Sequence, residues 1–217
     1  MIIAIDGPAG SGKSTISKLI AENLGITYLD TGAMYRLFTL KLLKEKVLLT
    51  DKDKINKFLE NLDIDITNDR FYLDGENVSE EIRKTDISEN VSKVAAIKEV
   101  REKMVDLQRK FSKSQDVIMD GRDIGTVVFP NADIKIFLVA DLKERAERRY
   151  KEIIEKGQKV SFDEIYENIV NRDNLDSTRE ITPLRKAEDA IEIDTTGKSI
   201  EKVKNEILEI CRNRNKL

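Results

Sequence analysis

The stretch DGPAGSGKST, residues 6–15, follows directly on the apolar run IIAI, residues 2–5, and its reading decides the fold. An apolar run of strand length suits the middle of a parallel sheet buried on both faces. Ile16, Leu19, Ile20 and Leu24 then recur at helical spacing, with Gly25 placed to end the helix. The decapeptide is therefore bracketed by a strand and a helix. Within it Gly7, Gly12, Lys13 and Ser14 match GxxxxGK(S/T), and Gly10 adds a further flexible point. Glycines let the backbone wrap closely with its N–H groups turned inward, and the helix N-terminus adds positive potential. Lys13 supplies a mobile charge and the Ser14 hydroxyl can ligate Mg²⁺. Gly7, Pro8, Ala9, Gly10, Ser11, Gly12, Lys13, Ser14 and Thr15 are thus expected to cradle the phosphates of a nucleoside triphosphate.

Two more short runs rich in β-branched residues, 117–119 and 134–139, are set off by helical patterns such as Val100, Met104, Leu107 and Phe111. A last strand over 190–193 precedes a C-terminal helix with the stripe Ile200, Val203, Ile207 and Ile210. Strands alternating with helices predict an α/β sheet. Residues 62–78 break the rhythm. Ile64 and Ile66 alternate with acids, Asn68-Asp69 and Asp74-Gly75 supply turns, and Phe71, Tyr72 and Leu73 lie between them. This pattern predicts a small antiparallel meander, inserted and running on through helical pieces to about Ala96. The expected division is a core of residues 1–61 and 97–217 with an insert over 62–96.

The bulk numbers narrow the chemistry. A net charge of −3 over 217 residues, with both signs mixed throughout, gives no general pull toward nucleic acid or membrane. The first apolar run is too short for a signal sequence, and no stretch is long and apolar enough for a membrane span. The single cysteine, Cys211, excludes an intramolecular disulfide, and the absence of histidine excludes His-activated nucleophiles and the common His-containing metal sites. A cytoplasmic protein without nucleic-acid or membrane partners is expected.

A phosphate loop alone does not separate a switch, a motor and a phosphotransferase, although the absence of the guanine-reading NKxD pattern disfavours a GTP switch. The second substrate decides. Phosphoryl transfer to an acceptor phosphate needs arginines and a metal more than a base, because the acceptor oxygen is already ionised. DTGAMYR, residues 30–36, follows a short strand over 27–29, offers Thr31 as N-cap and places Arg36 about one turn into a helix. Taken alone it fits an ordinary capped helix with a surface arginine equally well. MDGRDIGTVVFP, residues 119–130, begins where the strand 117–119 ends, the place where open α/β sheets bind ligands. Asp120 there is a Walker-B-like position able to hold magnesium through water, and Arg122 and Asp123 fall in the adjoining loop. Ile165, Ile169, Arg172, Asp176 and Arg179 share one helical face. That face is either an i,i+4 ion pair on an emerging helix end or the lining of an anionic site, with Asp176 accepting from sugar hydroxyls. Finally, ERAERR at 144–149 leads toward Gly157, and two readings fit. One is a short lid over about 148–162 that brings Arg148 and Arg149 to the triphosphate, the other a solvated helix face.

DGPAGSGKST, LDTGAMYR, DGRDIGTVVFP and RDNLDSTR, in this order and joined by SEEIRKTDISENVSKVAAIKEVR at 79–101, resemble the bacterial cytidylate kinases, a family of nucleoside monophosphate kinases. The resemblance spans nearly the whole chain. It implies a P-loop NTPase fold, α/β, with a five-stranded parallel sheet flanked by helices, an inserted antiparallel β subdomain that binds the monophosphate, and a short lid. It implies transfer of the γ-phosphate of ATP to CMP or dCMP with Mg²⁺ on Ser14 and, through water, on Asp120. Lys13, Arg122, Arg172 and Asp120 would carry the transfer, without a general base. Arg36, Arg122 and Arg172 would hold the acceptor phosphate, while Ser92, Arg101 and Asp123 read the cytosine edge. Thr31, Asp176 and Arg179 would complete the substrate contacts, Asp176 at the ribose or deoxyribose, and the enzyme would act as a monomer. DGRD stands where adenylate kinases carry DGFPR, which argues against AMP as acceptor. The rivals are a kinase preferring UMP or AMP and a regulatory nucleotide-binding module, the latter opposed by three acceptor-side arginines.

Overall fold

The structure, a computed structural model, describes residues 1–67, 70–155, 157 and 159–215. In chain order it begins β1 (Ile2–Asp6), α1 (Lys13–Leu24), β2 (Thr27–Asp30), α2 (Thr31–Lys44), α3 (Lys52–Glu60), β3 (Ile64–Thr67), β4 (Arg70–Leu73) and β5 (Glu76–Asn77). It continues α4 (Thr85–Ala95), α5 (Lys98–Phe111), β6 (Val117–Gly121), β7 (Ile134–Val139), α6 (Leu142–Glu155), α7 (Phe162–Thr178), β8 (Ile191–Asp194) and α8 (Ile200–Asn215). The chain divides into two compact units, one of Met1–Leu29 with Ser112–Leu217, the other of Asp30–Phe111.

The first unit is built on a five-stranded parallel sheet in the order β2-β6-β1-β7-β8. β1 is central, with Ile3 paired to Ile118 on one side and to Ile134 on the other. Burial on both sides explains why residues 2–5 are apolar without alternation. Ile3 and Ile5 pack with Ile16 and Ile20 of α1, Ile118, Ile136, and Val203, Ile207 and Cys211 of α8. Of the expected C-terminal stripe, Val203, Ile207 and the partly buried Ile210 pack here and only Ile200 does not. Val203, Ile207 and Cys211 face the core, whereas Ile200, at the first turn, is exposed. α1 ends as expected at Gly25, which takes a left-handed φ of 67°. Because β1 neighbours two later strands, β6 and β7, the chain leaving β1 enters the crevice where α/β sheets hold ligands.

The second unit carries a three-stranded antiparallel sheet in the order β3-β4-β5, the meander read from the sequence. Asp74 and Gly75 turn it with φ of 51° and 81°, the positive pair that a tight hairpin demands. The other expected turn, Asn68-Asp69, lies outside the described residues. Phe71 and Leu73 point into a core with Ala33, Leu37 and Leu40 of α2, Ile82 and Ile87. The N-cap of α2 differs from the expectation of Thr31. Asp30 caps the helix, its carboxylate accepting from the Ala33 N–H at 2.9 Å, and Thr31 is the first helical residue. Asp and Thr are both good caps, and the residue with extended backbone wins.

Candidate active site

The phosphate loop leaves β1 through Gly7, whose φ of 151° and tight surroundings admit no side chain. A Cβ built there would lie 2.1 Å from the Leu138 carbonyl oxygen of β7. Gly12, at φ 88°, precedes α1 and offers no side-chain cap to the N–H groups of the first turn. Those donors and the helix dipole remain for an anion. Lys13 is buried and folds over the loop, donating to the Pro8 carbonyl at 2.6 Å and to the Ser11 hydroxyl at 3.3 Å. Ser14 donates to Asp120 Oδ2 at 2.8 Å, and the Tyr28 hydroxyl donates to Asp120 Oδ1 at 2.7 Å. Asp120 is the fourth residue of β6, so the strand runs two residues further than residues 117–119 suggested.

Arg122 follows at once. Its Nε donates to Asp176 Oδ2 of α7 at 2.8 Å, and the Arg179 guanidinium stands 3.8 Å from Asp176 and 3.9 Å from Asp123. Arg122, Asp123, Asp176 and Arg179 are thereby gathered into one charged cluster. Burial alone would raise the Asp176 pKa, yet Arg122, Arg172 and Arg179 outweigh it and hold the carboxylate below its usual range. Burial likewise opposes the Arg122 charge, and Asp176 reverses the effect. Arg179 meets Asp176 as periodicity suggested, but from just beyond the end of α7. It is the C-cap, with an extended ψ of 142°, and turns back by donating through Nε to the Thr182 carbonyl at 2.7 Å. Lys13 belongs to the same electrostatic neighbourhood. Its pKa lies well below the ordinary lysine value, first through burial and then through the positive fields of Arg122 and Arg172, with Asp120 and Asp6 opposing.

Asp6 was silent in the sequence as more than a strand end. Its two carboxylate oxygens accept from the Ile124 N–H at 2.8 Å and the Gly125 N–H at 2.7 Å, pinning the π-helical turn Ile124–Val128 that follows Asp123. Burial pushes the Asp6 carboxyl up to about 6, against those two backbone donors. Neither Tyr28 nor Asp6 belongs to GxxxxGK(S/T), but Asp6 opens the quoted stretch DGPAGSGKST and Tyr28 directly precedes LDTGAMYR, and a buried acidic residue ending an apolar strand is itself unusual.

In the second unit Arg36 donates to the Ser88 hydroxyl at 2.9 Å and the Ile82 carbonyl at 3.2 Å. Ser92 is buried one turn further along α4. Arg101 is also buried, donates to the Ala95 carbonyl at 2.9 Å and lies over the Tyr35 ring, 5.4 Å from its centroid. Thr31 is buried at the start of α2. Of the lid arginines, Arg148 donates to the Thr195 hydroxyl at 3.0 Å and carbonyl at 2.7 Å and pairs with Glu144, while Arg149 pairs with Glu152 at 2.7 Å. The expected lid, about 148–162, includes Lys156 and Gln158, which lie outside the described residues. On its far side Ser161 and Glu164 form a reciprocal capping box that starts α7.

Comparison with known proteins follows the same lines. The family model described as "Cytidylate kinase" matches residues 3–213. A cytidylate kinase of Fusobacterium nucleatum subsp. nucleatum is 56% identical over 205 residues, covering 94% of both chains. One of Clostridioides difficile is 53% identical over 208 residues, covering 96% of both. In fold, the chain is similar to an uncharacterized protein from Eubacterium ventriosum, with a TM-score of 0.55 at 14% identity over 99% of each chain. A likeness running from the second residue of β1 to the last turns of α8 takes in every motif described above, and the chain belongs to the cytidylate kinase family.

Proposed function

We propose a division of labour among these residues for the reaction of this family, the ATP-dependent phosphorylation of CMP or dCMP. The loop from Gly7 to Thr15 holds the donor phosphates with backbone N–H groups, and Lys13 follows the γ-phosphoryl group as it moves. The triphosphate supplies the negative charge that the buried lysine lacks. Arg36, Arg122 and Arg172 hold the acceptor phosphate. Asp176 accepts from the sugar, Arg179 supports it, and Ser92, Arg101 and Asp123 meet donor and acceptor groups of the cytosine. Thr31 completes the monophosphate contacts, residues 62–96 serve the monophosphate, and Arg148 and Arg149 act from the lid. The acceptor oxygen is already ionised, so positioning and charge compensation suffice.

The observation that carries this reading is the place of Arg122, two residues beyond the Asp120 that accepts from Ser14 of the phosphate loop, and paired with Asp176 at 2.8 Å. Arg122 and Arg172 both oppose the charge of Lys13, as cations gathered near it would. A nucleotide switch has no use for them. A second anion does.

Magnesium fits the donor set. Among the described residues no group of three or more acidic, cysteine or histidine side chains could hold an ion alone. Mg²⁺ is usually held by one or two protein oxygens, with phosphates and water filling the rest. Ser14 and Asp120, already hydrogen-bonded to each other, are such a pair. Ser14 and Asp120 would hold the metal, which would supply positive charge to offset that of the donor phosphates. Among the described residues no helix is long and apolar enough to cross a membrane, and we place the enzyme in the cytoplasm as a monomer.

A panel of nucleoside monophosphates with ADP release as readout tests the reading. CMP and dCMP should lead, and a preference for AMP or GMP would overturn it. In the same assay Lys13→Ala should lower kcat by about 10²-fold or more.

A further inference from the structure

The crest of the phosphate loop is held from outside by two side chains that the roles above leave unused. Arg145, in the first turns of α6, is buried. Its Nη1 donates to the Ala9 carbonyl at 2.9 Å and to Asp173 Oδ2 at 2.6 Å, and its Nε donates to the Ala140 carbonyl at 3.0 Å. Asp173, on α7, takes the other backbone group of the same residue, its Oδ1 accepting from the Ala9 N–H at 3.3 Å. One loop residue thus has both backbone groups caught by an ion pair that spans two helices. The backbone packing is equally close. A Cβ built on Gly10, whose φ is 76°, would lie 3.1 Å from both the Cβ and the carbonyl oxygen of Arg145.

A bulged glycine loop has several low-energy shapes, and only one presents its N–H groups to a phosphate chain. Something must select that shape. Lys13 and Ser11 both donate to the Pro8 carbonyl, and Lys13 would leave that contact to meet a phosphate. The Arg145–Asp173 bridge involves neither Lys13 nor Ser11, so that exchange would leave it in place. Asp173 also directly follows Arg172 and is one turn before Asp176, so the same bridge sets the height of α7, with its acceptor-side groups, against the donor loop.

We propose that Arg145 and Asp173 are positioning residues for phosphoryl transfer: together they fix the backbone of Ala9 on both sides of its Cα, hold the phosphate loop in its binding shape and lock α7 to it. The proposal rests on the functional reading above. Replacing either partner should relax the loop, and misplacement of reacting groups by an ångström is enough to cost about 10²-fold in rate.

Arg145→Lys keeps the charge but loses the fork that reaches Ala9, Ala140 and Asp173 at once. Asp173→Asn keeps the shape and removes the pair. With folded enzyme, confirmed by circular dichroism and assayed below the melting midpoint, each variant should bind MgATP at least tenfold more weakly and turn over at least tenfold more slowly. The CMP dissociation constant should change less than threefold. The double variant should be no worse than about the weaker single, because both act through one bridge. A merely structural pair would lower the melting midpoint and leave the MgATP constant within twofold, which overturns the proposal. So does multiplication of the two single effects, or failure of both variants to fold. Wild-type turnover of CMP separates the two claims. If the wild type phosphorylates CMP and the variants match it, only the bridge fails. If the wild type does not, the functional reading fails and the bridge is judged on MgATP binding alone.

Discussion

On the proposed reading the first unit holds phosphate in two ways, and they obey different rules. The loop after β1 is made of backbone: glycines, a helix N-terminus and one folded lysine. The cluster after β6 is made of side chains: Arg122 on Asp176, Arg179 near Asp123 and Asp176. A backbone site is fixed by what cannot be added to it. Gly7 shows this, since a single methyl group would meet the Leu138 carbonyl oxygen. A side-chain site is fixed by what cannot be taken away, since removing one buried partner strands the other's charge. The two regions should therefore fail differently when each is given its characteristic insult.

The largest failure is expected for Gly7→Ala. The added Cβ, 2.1 Å from a main-chain oxygen of the core sheet, cannot be relieved by rotating a side chain. The φ of 151° is unfavourable for alanine as well. Overpacking of this kind costs about 3 kcal/mol or more, and the loop must shift to relieve it. Urea unfolding should show the loss, and kcat/KM for ATP should fall about 10²-fold or more. Wild-type stability with wild-type ATP use would mean that the loop is not shaped by this contact.

Arg122→Ala sharpens the contrast from the other side. The loop keeps its shape, so the KM for ATP should stay within about threefold, while kcat/KM for CMP falls about 10²-fold, the usual scale for a lost charge contact. Asp176 is left buried without its closest partner, and burial then moves its pKa upward. Steady-state kinetics with each nucleotide varied in turn decides the matter. A variant that lost ATP and CMP use equally would show that the two cradles are one site and not two.

The same distinction governs what the sequence made legible. A backbone site writes itself locally: GxxxxGKS between an apolar run and a helical stripe left little choice, and the order of strands and helices followed. The antiparallel meander was readable for the same reason, from Ile64 and Ile66 and the Asp74-Gly75 turn. Side-chain sites are written in pieces. Arg122, Asp176 and Arg179 were each visible in motifs, but the pairing of Arg122 with Asp176 spans 54 residues and no local pattern states it. Arg145, Asp173 and Asp6 stand in quoted stretches and Tyr28 beside one, but their roles were hidden, because a polar group that serves a distant partner looks in sequence like any other surface residue. Thr31 failed in a different way. Two adjacent residues could both cap α2, and only the backbone, extended at Asp30, chose between them.

Asp6 is where the two regions are tied together, and its effect is the smallest of the three. The residue ends β1 immediately before Gly7, and its carboxylate holds the turn just beyond Asp123. Burial raises its pKa from 3.8 to about 6, with Asp123 adding to the rise and Lys13 and the two backbone donors opposing. A carboxyl whose pKa is raised on folding binds its proton more tightly in the folded state. Its contribution to stability is complete below the unfolded value and is lost as pH rises through the folded one. Between pH 4.5 and 7 the loss amounts to about 2 kcal/mol at 1.36 kcal/mol per pKa unit. Asp6→Asn cannot titrate, so it lacks this slope, although its amide group must face one backbone N–H where a carboxylate oxygen stood. The variant should accordingly be less stable than the wild type at pH 4.5 and should recover by about 2 kcal/mol relative to it by pH 7. Urea midpoints of both proteins at the two pH values measure the difference. A gap that stays constant across that range would mean that Asp6 keeps an ordinary carboxylate pKa in the fold, and that the tie between the two cradles is held by a charge at no cost from burial.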